Sequence, residues 1–61
     1  MKFIEVKDID GDLMTLNLEY LVAFREYDGI TEVMMRDEKV EIDMPYNSFK
    51  KLLLSKFGLP L

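Results

Sequence analysis

The side chains best suited to chemistry lie in residues 8–12, which read Asp-Ile-Asp-Gly-Asp. Carboxylates on alternate residues followed by a glycine resemble a calcium-binding loop, because their oxygens can converge on one cation. With Gly11 as the sixth residue of an EF-hand loop, the first ligand position falls on Val6 and the twelfth on Asn17, and neither supplies a carboxylate. The segment is therefore predicted to be a solvated turn, with Gly11 providing a left-handed backbone conformation.

Other residues with catalytic chemistry lack the neighbours they would need. The chain has no His and no Cys, so Ser48 and Ser55 have no motif around them that would activate a nucleophile. Glu41 and Asp43 are two residues apart, which places both on the solvent-facing side of a predicted strand, where nothing equips them for proton transfer. We therefore expect no enzyme activity, no metal site and no cofactor.

Charge is distributed unevenly along the chain. Residues 1–45 contain twelve acidic and five basic residues, net −7, whereas residues 46–61 contain three lysines and no acidic residue, net +3. Direct binding to nucleic acid is not expected, because that affinity depends on basic groups neutralising phosphates. An acidic sheet and a basic helix can simply attract one another within the fold, or the acidic sheet can face a basic partner.

Length and composition indicate one small domain over residues 1–61. With 61 residues and no cysteine, the chain must obtain its stability from packing or from association with another chain. The longest apolar stretches are too short to span a bilayer, and no segment resembles a signal peptide. We therefore expect a cytoplasmic protein without membrane insertion.

Apolar and polar residues alternate over residues 1–44, and this period of two predicts half-buried strands. The predicted strands cover residues 2–7, 13–18, 21–27, 30–36 and 40–44. Asp28-Gly29 is the strongest hairpin signal, and residues 17–20 interrupt the alternation as a corner of about one helical turn. The expected fold is mainly β, of the α+β class, with about five short antiparallel strands in a meander or a small SH3-like barrel.

The period then changes to that of a helix, predicted over residues 46–57. Pro45 suits the entry to this helix, Gly58 a left-handed cap, and Pro60 would prevent its continuation. Lys50 and Lys51 are expected to face water, and Lys56 lies in the last turn, where the helix dipole favours a cation. The predicted buried stripe consists of Phe49, Leu52, Leu53 and Phe57.

Alternation also separates a predicted core from an outer face. The residues predicted to point inward from the strands are Ile4, Val6, Met14, Leu16, Leu18, Val22, Phe24, Val33, Met35, Val40, Ile42 and Met44. Large apolar residues remain on the outer face, where a twisted sheet can cover them or where they can contact a partner. The candidate interaction surface is Phe3, Leu13, Tyr27 and Met34, with the acidic side chains of Glu41 and Asp43.

One pattern covers most of the chain: the pairs Asn17-Leu18 and Asp28-Gly29, then Val22-x-Phe24, Val33-x-Met35 and Val40-x-Ile42, followed by a short helix. This spacing resembles that of the small flagellar FlbD/SwrD-type proteins. The resemblance implies successive strands with a C-terminal helix, no active site, and a bacterial or phage accessory role. The strand pattern is also similar to the strand core of LytTR-type DNA-binding domains, whose basic contact residues have no counterpart here.

These observations predict a non-enzymatic protein-interaction or accessory module. Binding would use an exposed strand edge or the outer apolar residues, with a protein partner or a second copy of the chain. One alternative is a small acidic inhibitor or nucleic-acid mimic of a basic partner, whose binding would weaken steeply with salt. The other is a structural homo-oligomer, in which contact between copies covers the apolar surface.

Overall fold

The computed structural model describes residues 2–57, which form five antiparallel strands and one C-terminal helix. This confirms the predicted mainly β fold. The elements in chain order are β1 Phe3–Lys7, β2 Leu13–Asn17, a 3-10 turn Leu18–Tyr20, β3 Leu21–Tyr27, β4 Ile30–Met35, β5 Lys39–Ile42 and α1 Tyr46–Phe57. The strands begin or end at most two residues from the predicted positions, and the helix has the predicted bounds.

The strands form two sheets rather than one. β1 pairs with β2, with Phe3 opposite Asn17 and Lys7 opposite Leu13. β3, β4 and β5 pair in that order to form a three-stranded sheet. Successive strands are therefore neighbours within each sheet, as a meander requires.

The two sheets meet where the C-terminal end of β1 lies beside β5. An isolated bridge joins Asp8 to Ile42, and the amide of Asp43 donates to the carbonyl of Lys7 at 3.0 Å. No continuous ladder links the sheets within residues 2–57. Of the two predicted arrangements, the open meander is the one observed. Within residues 2–57 the sheets do not close into an SH3-like barrel, because this junction is limited to the strand ends.

Two turns have the predicted chemistry. The Asp8 carboxylate accepts the amides of Asp10 at 2.9 Å and Asp12 at 3.0 Å, and Gly11 has φ +87°. In the β3–β4 hairpin, Asp28 and Gly29 have φ values of +51° and +84°. Positive φ at both central residues is the requirement of a type I′ turn, whose twist matches that of the flanking strands.

One hydrophobic core lies between the two sheets and the helix. Its buried members were all predicted to point inward: Ile4, Val6, Leu16, Val33, Val40, Ile42, Phe49 and Leu53. Half-buried apolar side chains pack around them, as predicted for most: Met14, Leu18, Leu21, Phe24, Met35, Met44 and Leu52. A domain of this size has few such side chains, so each contributes appreciably to stability.

Val22 was predicted to be buried, but its side chain is 69% exposed. The pairing of β3 with β4 shifts register between Leu21, which lies opposite Met35, and Ala23, which lies opposite Met34. Two positions along β3 thus match one along β4, which is a β-bulge. The extra residue turns Val22 outward and brings Leu21 against the core instead.

The helix begins where predicted, with the amide of Phe49 donating to the carbonyl of Pro45 at 3.0 Å. Lys51 is exposed, whereas Lys50 is half-buried rather than fully in water. The 3-10 turn confirms the predicted corner, and the side chain of Asn17 caps it by accepting the amide of Glu19 at 3.0 Å. The predicted roles of the Phe57 side chain, Gly58 and Pro60 lie outside the described part of the structure.

Candidate interaction surface

Four of the six predicted surface residues belong to the outer face of the three-stranded sheet. This is the face that points away from the core, whereas the Val33 side chain points into the core. Tyr27 of β3, Met34 of β4 and Glu41 of β5 alternate with inward-facing neighbours, and Asp43 follows β5 at the junction with β1. Tyr27 is 52% exposed. Met34 and Glu41, however, are half-buried, because side chains of the neighbouring strands cover part of each on this face.

The other two predicted residues lie on the outer side of the two-stranded sheet. Phe3 is 48% exposed and Leu13 is 64% exposed. They stand at opposite ends of the β1–β2 pair, since Phe3 pairs with Asn17 and Leu13 with Lys7. The structure therefore does not bring the six residues into one apolar stripe.

An ionic cluster that the sequence analysis missed lies at the centre of the outer face. Arg25 Nε donates to Glu32 Oε1 at 2.7 Å, and Lys39 Nζ lies 3.3 Å from Glu32 Oε2. The Glu32 side chain is 4% exposed, whereas the side chains of Arg25 and Lys39 are 62% and 59% exposed. Glu32 sits close to the surface, but neighbours on both sides of the central strand cover it.

The cluster fixes the charge state of its carboxylate. The hydrogen bond from Arg25 is the main cause that lowers the pKa of Glu32 from its ordinary value of 4.5. Burial opposes this effect, and the hydrogen bond from Lys39 adds to the lowering. Arg25 and Lys39 thus share the single negative charge of Glu32, and Arg25 makes the shorter contact with it.

A signal for this cluster was present in the sequence. Arg25 and Glu32 are equally distant from the Asp28-Gly29 turn, so a two-residue hairpin must place them opposite one another. The structure has this register, with Arg25 opposite Glu32. The low exposure of the Glu32 side chain was not predictable in the same way, because it depends on the third strand and on the lengths of the surrounding side chains.

The free edge of β3 is the longest strand edge of the described fold. β3 has seven residues, and among the described strands only β4 pairs with it. A type I′ turn joins the carbonyl of its first residue to the amide of its fourth, so Tyr27 and Ile30 form a hydrogen-bonded pair. Bonded and non-bonded pairs alternate in an antiparallel ladder, and the backbone groups of Phe24 and Glu26 therefore point away from β4.

Aromatic side chains lie beside this edge on the inner side of the sheet. The Phe24 ring centroid is 5.3 Å from that of Tyr46 and 5.1 Å from that of Phe49, with which it makes an edge-to-face contact. Phe49 is fully buried, but Phe24 and Tyr46 are each half-buried. Lys50 Nζ lies 6.0 Å from the Tyr46 ring centroid. The edge therefore combines outward backbone groups with partly accessible aromatic surface.

The acidic loop does not assemble a site comparable to this edge. One oxygen of Asp8 is already occupied by the amides of Asp10 and Asp12. Over residues 2–57, no group of three or more His, Cys, Asp or Glu side chains is placed to hold a metal ion. The geometry of the segment is that of the predicted turn.

Comparisons with known proteins give no match. No protein-family model matches the chain, and searches of curated proteins and of solved structures find no match either. Among the described residues, the one helix is too short and too polar to cross a membrane. Function must therefore be inferred from the surfaces of the fold itself, among which the β3 edge is the best defined.

Proposed function

We propose that this chain is a non-enzymatic protein-interaction module that binds an extended segment of another protein along the free edge of β3. The observation that carries the proposal is the seven-residue edge strand β3, on which the hairpin register directs the backbone groups of Phe24 and Glu26 outward. Unpaired amides and carbonyls on such an edge form a template for strand addition. Main-chain hydrogen bonds would provide affinity, and side chains beside the edge would provide selectivity.

The ends of β3 define the length of this docking edge. At its start, the bulge between Leu21 and Ala23 twists the strand and interrupts regular pairing. At its end, the Asp28-Gly29 turn reverses the chain. Four residues thus remain for regular pairing, from Phe24 to Tyr27. β2 also lies at a sheet edge, but it is shorter, with five residues, and within residues 2–57 the contacts between aromatic rings are at β3 and α1.

The biological setting is part of the same proposal. The resemblance to small flagellar proteins supports an accessory role in a bacterium or phage, with a protein partner in the cytoplasm. The acidic character of residues 1–45 supports a partner whose contact surface is basic.

The proposal is tested by capturing partners from a lysate of the source cell with three forms of the protein. Glu26→Pro removes the outward amide of residue 26, whereas Glu26→Ala removes the same side chain and keeps the amide. The expected result is a protein retained at high salt by the wild type and by Glu26→Ala, and lost with Glu26→Pro.

Other outcomes of this capture distinguish the alternatives. Equal retention by all three forms would show that the partner uses another surface, such as that of Phe3 or Leu13, and would overturn the edge as the site. Loss of all binding at moderate salt would favour an acidic mimic, because exposed charge pairs are screened by salt. Recovery of only the tagged chain with untagged copies of itself would favour a homo-oligomer.

A further inference from the structure

We propose that the segment added to β3 is basic, with a Lys or Arg opposite Glu26 and an apolar residue opposite Phe24, and that it runs antiparallel to β3, the direction that gives the more stable pairing per residue. This inference rests on the proposed function and specifies the chemistry of its partner. Read from its own N-terminus, the segment would carry the order basic, any residue, apolar, because an antiparallel strand passes Glu26 before Phe24.

The basic residue follows from which charges on β3 are already compensated. β3 has two charged residues, Arg25 and Glu26. Arg25 is bound to Glu32 at 2.7 Å, whereas Glu26 has no ion-pair partner among residues 2–57. The uncompensated charge on the edge is therefore negative, and Asp28 adds a second exposed carboxylate just beyond it. Opposite charges on directly facing strand positions attract one another.

The apolar residue follows from the inner side of the edge. Phe24 and Glu26 are two residues apart on one strand, so their side chains lie on the same face. Phe24 is half-buried and contacts the half-buried Tyr46 ring, so an apolar side chain facing it would cover the remaining aromatic surface. Lys50 lies near the Tyr46 ring, and its cation would repel a basic residue placed opposite Phe24. The basic position is therefore opposite Glu26.

A second copy of the chain fits this edge less well than a basic segment. Symmetric antiparallel pairing centred on Arg25 would place two arginines opposite one another, and pairing centred on Glu26 would oppose two glutamates. Pairing centred on Phe24 would bring Tyr27 of one copy against Leu21 of the other, where the bulge breaks the regular ladder. Each symmetric register thus meets a like-charge pair or an irregular backbone.

The test is a titration of the isotope-labelled protein with two synthetic peptides, followed by NMR amide shifts. Both peptides consist of alternating Thr and Val except at one position, which lies two residues before a Val. That position is Lys in one peptide and Glu in the other. Each is titrated into the wild type, Glu26→Lys, Glu26→Pro and the matched control Glu5→Lys. Glu5 is also an exposed strand glutamate that faces a threonine, Thr15, so both lysine variants change the net charge equally.

The expected result is shift changes centred on the amides of Phe24 and Glu26, with up to about fivefold tighter binding of the Lys peptide, as one favourable cross-strand charge pair allows. Glu26→Lys should reverse this preference, and Glu5→Lys should leave it in place.

Three other outcomes would overturn part or all of the inference. If both peptides bound equally and Glu26→Pro abolished that binding, the basic preference would be overturned and the edge would remain the docking site. Absence of shifts at Phe24 and Glu26 with either peptide would overturn both. Shifts of these amides with protein concentration alone would place a second copy at the edge and overturn the inference.

Discussion

Arg25 and Glu32 face one another across the β3–β4 hairpin, and their contact of 2.7 Å joins an exposed guanidinium to a nearly fully covered carboxylate. The Asp28-Gly29 turn determines this pairing, because its type I′ geometry fixes which residues of the two strands are opposite. Lys39 completes the cluster from β5 at 3.3 Å. Arg25 is therefore held by an ion pair within the fold, whereas Glu26, the other charged residue of β3, has no ion-pair partner among residues 2–57.

The two basic residues of this cluster should differ in their contribution to stability. Arg25→Met is expected to lower the free energy of unfolding more than Lys39→Met, because Arg25 Nε donates to Glu32 Oε1 at 2.7 Å, whereas Lys39 Nζ lies 3.3 Å from Oε2. Methionine keeps most of each aliphatic stem, so the comparison isolates the charged head. Urea denaturation followed by circular dichroism measures both. A larger loss with Lys39→Met would contradict this order.

The same carboxylate predicts part of the pH dependence of folding. The pKa of Glu32 is lowered from 4.5 in the folded chain, chiefly by the hydrogen bond from Arg25. The folded protein therefore binds fewer protons at this site than the unfolded chain does. The stabilisation is present above pH 4.5 and is lost as the pH falls through the lowered pKa.

Glu32→Gln should remove this component. Between pH 7 and pH 3, its free energy of unfolding is expected to fall less than that of the wild type, as measured by urea titrations at each pH. Glu5→Gln is the matched control, because Glu5 is an exposed strand glutamate, and it should keep the dependence of the wild type. An equal fall in Glu32→Gln and the wild type would show that Glu32 contributes nothing to acid sensitivity.

Local sequence signals predicted most of the fold because each acts over a few residues. The Asp28-Gly29 turn, the alternation of Ile4 and Val6, and the helical spacing of Phe49 and Leu53 are all observed as predicted. The position of Val22 was predicted wrongly, because alternation alone cannot reveal an added residue in one strand. A bulge depends on how two strands pair, and that information is not contained in either strand separately.

The candidate site was predictable only in part, for a related reason. Tyr27, Phe3 and Leu13 are exposed as predicted, since period two assigns each residue to a face. Whether residues of different strands form one surface depends on sheet order, and the division into two sheets separates Phe3 and Leu13 from Tyr27. The ionic cluster required the register of three strands, although the Arg25–Glu32 pairing followed from the hairpin turn.

The bulge at the start of β3 can be tested with two isosteric substitutions. Val22→Thr should change the free energy of unfolding by no more than about 0.5 kcal/mol, because Val22 is 69% exposed. Val33→Thr should cost about 1–3 kcal/mol, because Val33 is fully buried and a hydroxyl there would have to leave water. Urea denaturation of both variants makes the comparison. If both substitutions lowered the free energy of unfolding by a similar, large amount, Val22 would belong to the core and β3 would have no bulge at this position in solution.

The backbone direction along β3 leads to a final prediction, on which the use of proline as a probe of the edge depends. Proline has no amide hydrogen and is tolerated in a strand where that hydrogen would face solvent. The amide of Glu26 points away from β4, whereas that of Tyr27 is paired with Ile30 beside the type I′ turn. Tyr27→Pro should therefore lower the free energy of unfolding by about 0.5–1.5 kcal/mol more than Glu26→Pro, the usual net contribution of one hydrogen bond. Tyr27→Ala and Glu26→Ala, compared by urea denaturation, correct for the lost side chains.

If Glu26→Pro were the more destabilising change, the other set of alternate residues in β3 would be hydrogen-bonded to β4. The free edge would then present the backbone groups of Arg25 and Tyr27.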